Sequence, residues 1–211
     1  MDKVRRTFIQ TLASLGAGVL AARKAEGAQH EQHLQHDKKH KAEGKAPSLN
    51  SKPGIIAVET PDVPKLPYQI ENGVKVFHLV AEPVRRNLLP FKAMDVWGYS
   101  GSCPGPTIQV NEGDHVRIVF ENRLPESTTV HWHGLEVPIK MDGVPYISQP
   151  PVPPGGSYTY EFTLNQNGTY FYHSHSAMQE MMGMIGMFVI HPRTPYKPRV
   201  DHDFEIGRAH V

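Results

Sequence analysis

The stretch TVHWHGLEV, residues 129 to 137, carries two histidines separated by one tryptophan, and GTYFYHSHSAMQ carries a second pair, His173 and His175, separated by Ser174. Thr129, Val130 and Trp132 are β-branched or aromatic and favour an extended strand, which Gly134 then breaks. Alternate side chains of a strand share a face, so His131 and His133 point one way and Trp132 the other. A single histidine in such a place is most often a core residue with satisfied hydrogen bonds. Four in two matched pairs are costly to bury together unless something uses their lone pairs, and a metal ion is the economical user. Imidazole alone suits zinc, copper, iron or nickel, and the spacing does not choose among them.

Bringing two such pairs to one rim is work for short strands. From about Tyr68 onward the sequence predicts strands at residues 74 to 80, 93 to 99, 107 to 110, 115 to 121, 128 to 133, 157 to 164, 169 to 173 and 185 to 191. Val116, Ile118 and Phe120 alternate with His115, Arg117 and Val119, which gives that strand one apolar face. Turn residues separate the runs, as in Asn111-Glu112-Gly113-Asp114, Pro153-Pro154-Gly155-Gly156 and Asn167-Gly168. Seven or eight strands at this spacing predict an all-β, antiparallel Greek-key sandwich.

The rest of the chain narrows the chemistry. A formal charge of +1 over 211 residues gives no basic surface for nucleic acid. Cys103 is the lone cysteine, so an intramolecular disulfide and a thiolate cluster are both excluded, and metal chemistry falls to histidine, carboxylate and methionine. Arg5 and Arg6 precede an apolar stretch, residues 8 to 22, too short to span a bilayer, with small residues near Ala25 and Gly27. This resembles a twin-arginine export signal over residues 1–28, the plainer reading being an ordinary secretory signal; either sends the mature protein out of the cytoplasm, into the periplasm. No later segment is long and apolar enough for a membrane span. Residues 29–66 read as a disordered His- and Lys-rich linker. His30, His33, His36 and His40 within it offer weak metal-collecting groups, or simply solubility.

The run HWHGLEVPIKMDGVP, followed by PPGGSYTYEF and NGTYFYHSHS, resembles the first cupredoxin domain of the multicopper oxidases, the family of laccases and bacterial copper oxidases. CPGPTIQVNEGDHVRIVFEN fits the opening of that domain, and the resemblance covers about residues 74 to 192 of a domain drawn here as 67–192. It implies copper. It also implies that His131 binds a type 2 copper, that His133, His173 and His175 bind the paired type 3 coppers, and that the three coppers together reduce dioxygen to water. The reducing substrate would be a phenol or a metal ion, cuprous ion included. Asp142, in MDG, stands where the family often places an acidic residue to orient a copper-bound water and pass protons; an Asp-Gly turn explains it equally.

The sequence also departs from the family. A type 1 copper, which takes electrons from substrate, needs a cysteine between histidines, and Cys103 lies in Gly-Ser-Cys-Pro-Gly, as a passive loop thiol. The remaining trinuclear ligands are missing, so the resemblance implies half of an oxygen-reducing site, inactive alone, with C-terminal cupredoxin domains as its missing partners. Residues 193–211 read as an interdomain linker stub. Their end, EIGRAHV, matches one reading frame of a common sequencing adapter, which implies a native reading that stops near Phe204; an ordinary polar terminus is the alternative. Methionines 178, 181, 182, 184 and 187 can collect Cu(I), although flexible packing beside a core strand explains them more simply. The alternative function for the whole is a periplasmic copper buffer without turnover.

Overall fold

Val116, Ile118 and Phe120 are fully buried and the residues between them only half so, as the alternation predicts. They lie on β5, His115–Asn122, one of nine strands in the computed structural model, which describes residues 55–89, 92–176 and 178–206. The others are β1 (Tyr68–Glu71), β2 (Val74–Leu89), β3 (Lys92–Tyr99), β4 (Gly105–Asn111), β6 (Val130–His133), β7 (Ser157–Thr163), β8 (Gly168–Ser174) and β9 (Ile185–His191). The leader, the histidines of the arm and residues 207–211 lie outside the described residues. One sheet runs β1-β2-β5-β7, with β3 against the far half of β2, and the other runs β4-β9-β8-β6. From β3 to β8 every connection passes from one sheet to the other, which makes the all-β sandwich. Among the described residues no helix is long and apolar enough to cross a membrane.

The antiparallel expectation needs correction. β2 and β5 pair in parallel, and so do β4 and β9. Parallel neighbours require a crossover, and strands of the opposite sheet supply it, a long-range fact that local spacing does not carry. β2 also runs nine residues past Val80, the expected end, because Pro83 and the run Arg85, Arg86, Asn87 read as a loop. That half is an outer ribbon: Val84 faces Val96 on β3, and Arg85 bonds Asp95 across the pair at 2.9 Å.

Packing also begins before the expected domain start. Val58 and Leu66, inside the segment whose composition predicts a disordered linker, are buried. Gln109 grips Val58 by both its amide atoms, and Leu66 N donates to Thr107 O at 2.9 Å. Two apolar anchors in a polar stretch are enough to dock it. After β9, Phe204 forms a bridge with Glu59, and the Thr107 hydroxyl donates to Glu205 at 2.9 Å.

On the outer face of the first sheet Arg117 donates to Glu161, its partner on β7, at 2.7 Å, and His115 Nε2 meets the other oxygen at 2.9 Å. The guanidinium first, and then the imidazole, hold the Glu161 carboxyl down at about 2. A glutamate in the unfolded chain titrates near about 4.3. The contribution is therefore complete above that value and is lost as pH falls from about 4.3 towards about 2. In Glu161→Gln the urea midpoint should fall less between about pH 5 and about pH 2.5 than in the parent, by a modest margin because the carboxylate is 35% exposed and screened. Identical acid limbs would remove this pair from the stability of the fold.

Candidate metal centre

β6 and β8 are antiparallel neighbours, and their register sets His131 opposite His173 and Trp132 opposite Tyr172. Trp132 is fully buried, against Tyr160 and Phe162 of the other sheet, so its neighbours in sequence must both face outward. The first turn of the chain after β6, through a short 3-10 segment Ile139–Met141, returns Asp142 to the same rim.

The two His-X-His pairs meet. Ring centroids of His131 lie 5.5 Å from His133, 5.3 Å from His173 and 5.4 Å from His175. One ligand nitrogen from each of His131, His133 and His173 falls within 4.8 Å of the other two. His175 stands just past the end of β8, exposed, 6.2 Å from the His173 ring and outside that tight trio. The structure thus brings the four rings to one rim, and three of them are close enough to share one ion.

Hydrogen bonds fix the tautomers. His131 Nδ1 lies 2.6 Å from the main-chain oxygen of Asp142, and His173 Nδ1 lies 2.9 Å from that of Ser174. A carbonyl only accepts, so both Nδ1 atoms carry a proton, and the lone pair of the neutral ring falls on Nε2. His133 Nδ1 meets His173 Nε2 at 3.2 Å, and its ring stacks on Phe171 with centroids 4.3 Å apart. Burial pulls the His173 pKa below the ordinary histidine value, the Ser174 carbonyl and Glu180 opposing and His131 and His133 assisting. Clustered imidazoles whose tautomers are set by main-chain acceptors are what a transition metal requires of its ligands.

One partner escapes sequence reasoning, and a second meets the site through an atom the sequence does not single out. Glu180 brings a carboxylate oxygen to 3.3 Å from His173 Nδ1, although seven residues separate them in an irregular stretch. Asp142 was expected to act by its carboxylate. Its carbonyl makes the short contact to His131, and Oδ1 lies at 3.4 Å. No sequence pattern distinguishes a main-chain acceptor from a side-chain one.

The profile of the multicopper oxidase family matches residues 81–195. The chain belongs to the multicopper oxidase family. Copper resistance protein A of Pseudomonas syringae pv. tomato is 45% identical over 104 residues, 49% of this chain and 17% of that protein. An iron transport multicopper oxidase of Gibberella zeae is 39% identical over 158 residues, 72% of this chain and 25% of that one. Among solved structures, a multi-copper oxidase from Pseudomonas thermotolerans superposes with a TM-score of 0.57 at 40% identity, over 59% of this chain and 31% of that one. The chain thus spans a quarter or less of these curated relatives. In this multicopper oxidase chain Cys103 is buried with Val84 and Val96, its thiol 3.6 Å from Gly183 O, and burial pushes the thiol pKa up. A copper-binding thiolate needs the opposite.

Proposed function

We propose that His131, His133, His173 and His175 hold copper as half of a three-copper site at which a multicopper oxidase reduces dioxygen to water. The remaining ligands, and the type 1 copper that takes electrons from a phenol or a metal ion, would come from a further cupredoxin domain. The observation that carries this reading is the trio of imidazoles that each bring a ligand nitrogen within 4.8 Å of the other two. Copper bound there would supply the redox change and open coordination that dioxygen chemistry needs.

The chain's own residues do the holding. The Asp142 and Ser174 carbonyls keep Nδ1 protonated on His131 and His173 and leave Nε2 as the nitrogen of each ring that a metal would use, in place of the His133 contact on His173. The Asp142 carboxylate, 36% exposed and 3.4 Å from His131 Nδ1, is placed to take protons from water and give them up beside the site. Trp132 excludes water behind the imidazoles. The Arg5-Arg6 leader supports delivery to the periplasm by the twin-arginine route, which carries folded proteins.

A second reading, a copper buffer without turnover, draws on the buried Cys103: among the described residues no thiol stands beside the histidines to receive electrons. One experiment addresses both. After loading with Cu(II) and desalting, the parent chain should retain at least about one equivalent more copper than a variant with His131, His133, His173 and His175 all changed to Ala. The arm histidines are present in both proteins and cancel. Neither should consume oxygen with a reducing phenol. Equal copper contents would end the metal reading, and steady oxygen uptake by the chain alone would end the half-site reading.

A further inference from the structure

Five methionines lie between residues 178 and 187, and the structure divides them into two groups. Met184 is fully buried in the main core and Met187 is half-buried on β9, whereas Met178, Met181 and Met182 are 65%, 78% and 42% exposed. The exposed three share a single turn, closed by Met182 N to Met178 O at 3.2 Å and Gly183 N to Glu180 O at 3.0 Å. All three methionine side chains of this turn open to solvent. Gln179 takes the inward side: it is buried, accepts from the Ser174 hydroxyl at 2.8 Å and donates to Ser127 O at 3.0 Å. The turn is also tied to β3, where Trp97 N donates to Met182 O at 3.0 Å. Packing accounts for Met184 and Met187. It leaves three thioethers facing water on an anchored turn, an apolar cluster with no gain from burial.

We propose that Met178, Met181 and Met182 form a docking site for a soft monovalent cation, cuprous ion above all. Three uncharged, polarisable sulfurs suit Cu(I) and give little to zinc, calcium or magnesium, which favour nitrogen, thiolate or oxygen donors. Glu180, on the same turn, brings its carboxylate to 3.3 Å from His173 Nδ1, so the turn that carries the thioethers is tied to the imidazole cluster. The site goes beyond the oxidase reading and does not depend on it, because its donors are sulfurs and remain when the four histidines are removed.

The test labels the methionine ε-methyl groups of the full chain with 13C and titrates it with Ag(I), a redox-inert stand-in for Cu(I), under NMR. The methyls of Met178, Met181 and Met182 should shift together and saturate near about one equivalent, while those of Met94, Met141, Met184 and Met187 stay in place. The arm histidines do not enter a methyl signal. The same three shifts should persist in the variant with His131, His133, His173 and His175 changed to Ala, so this result and the oxidase reading can fail separately. A variant carrying M178L, M181L and M182L, which keeps side-chain volume and the fold, should compete for Cu(I) against a chromophoric cuprous chelator about tenfold less well than the parent. Methyls that do not move overturn the proposal and give this face to a protein partner. Shifts that vanish with the histidines overturn it as well, by placing the cation on imidazole.

Discussion

Trp132→Ala should cost about 3–5 kcal/mol of folding stability, the range for removing a large buried aromatic, and should strip the metal centre of its geometry in the same step. The indole is fully buried between the sheets, with ring centroids 5.1 Å from Tyr160 and 5.8 Å from Phe162 on β7, and 5.9 Å from both Tyr172 and Phe188 in its own sheet. Together with the bond from Val130 N to the Tyr160 hydroxyl at 3.0 Å, it holds the centre of β6 against the opposite sheet. A four-residue strand at a sheet edge has little else to fix its register. The cavity left by alanine would let β6 shift, and His131 and His133 would move with it. Trp132→Phe separates packing from geometry: the indole Nε1 has no hydrogen-bond partner, so phenylalanine removes an unsatisfied donor while keeping most of the ring. It should recover more than half of the loss. Urea unfolding of the three proteins measures this, with copper retention read in parallel. An alanine variant within about 1 kcal/mol of the parent would mean that Trp132 does not set the rim.

The sequence exposes the site better than it exposes the scaffold, for a physical reason. Strand periodicity is a local property, and a His-X-His pair with a bulky apolar residue between its members can be read in only one way on a half-buried strand. Hence the shared face of His131 and His133, and the bulk of every strand from β3 to β9, follow from neighbours two residues apart. What local pattern cannot hold is pairing. Nothing in 74 to 80 or 115 to 121 says that β2 and β5 lie parallel, because the chain between them first adds β3 to the same sheet and then crosses to the other sheet through β4. β1 escapes notice because its four residues are almost all exposed and carry no alternation. The outer half of β2 escapes because Pro83 and two arginines imitate a loop, although an outer ribbon tolerates both.

At the site the division is similar. Imidazoles are rare enough to stand out, whereas their supports are ordinary groups. The Ser174 carbonyl belongs to a residue whose side chain turns inward to Thr128 at 3.0 Å and Gln179 at 2.8 Å, so one residue serves the core with its hydroxyl and the ligand with its main chain. Glu180 reaches His173 only because the methionine-bearing turn folds back on β8. Such partners depend on where loops return, which long-range packing decides.

Gly143→Ala should be nearly as damaging as the loss of Trp132, by a different route. Gly143 has φ +76°, and a Cβ on it would fall on the Val130 carbonyl group and within 2.9 Å of His131 N. Backbone atoms of a strand held by its ladder to β8 cannot step aside as a flexible side chain can. The left-handed conformation costs about 1–2 kcal/mol for alanine, and forcing the two chains apart adds about 1–3 kcal/mol. The separation acts directly on the metal centre, because the residue before Gly143 supplies the carbonyl that holds His131 Nδ1 at 2.6 Å. Gly155 provides the control. Its φ is +74°, with nothing within 4 Å of the added Cβ, so Gly155→Ala should show the conformational cost alone. Asparagine tolerates left-handed backbone but carries the same Cβ. Gly155→Asn should therefore approach the parent, while Gly143→Asn should recover only the conformational part of the loss, stay well below the parent and retain as little copper as Gly143→Ala. Urea midpoints for the four variants decide the matter: a mild Gly143→Asn would show that backbone strain, and not the close approach of two chains, is why glycine stands beside the imidazoles.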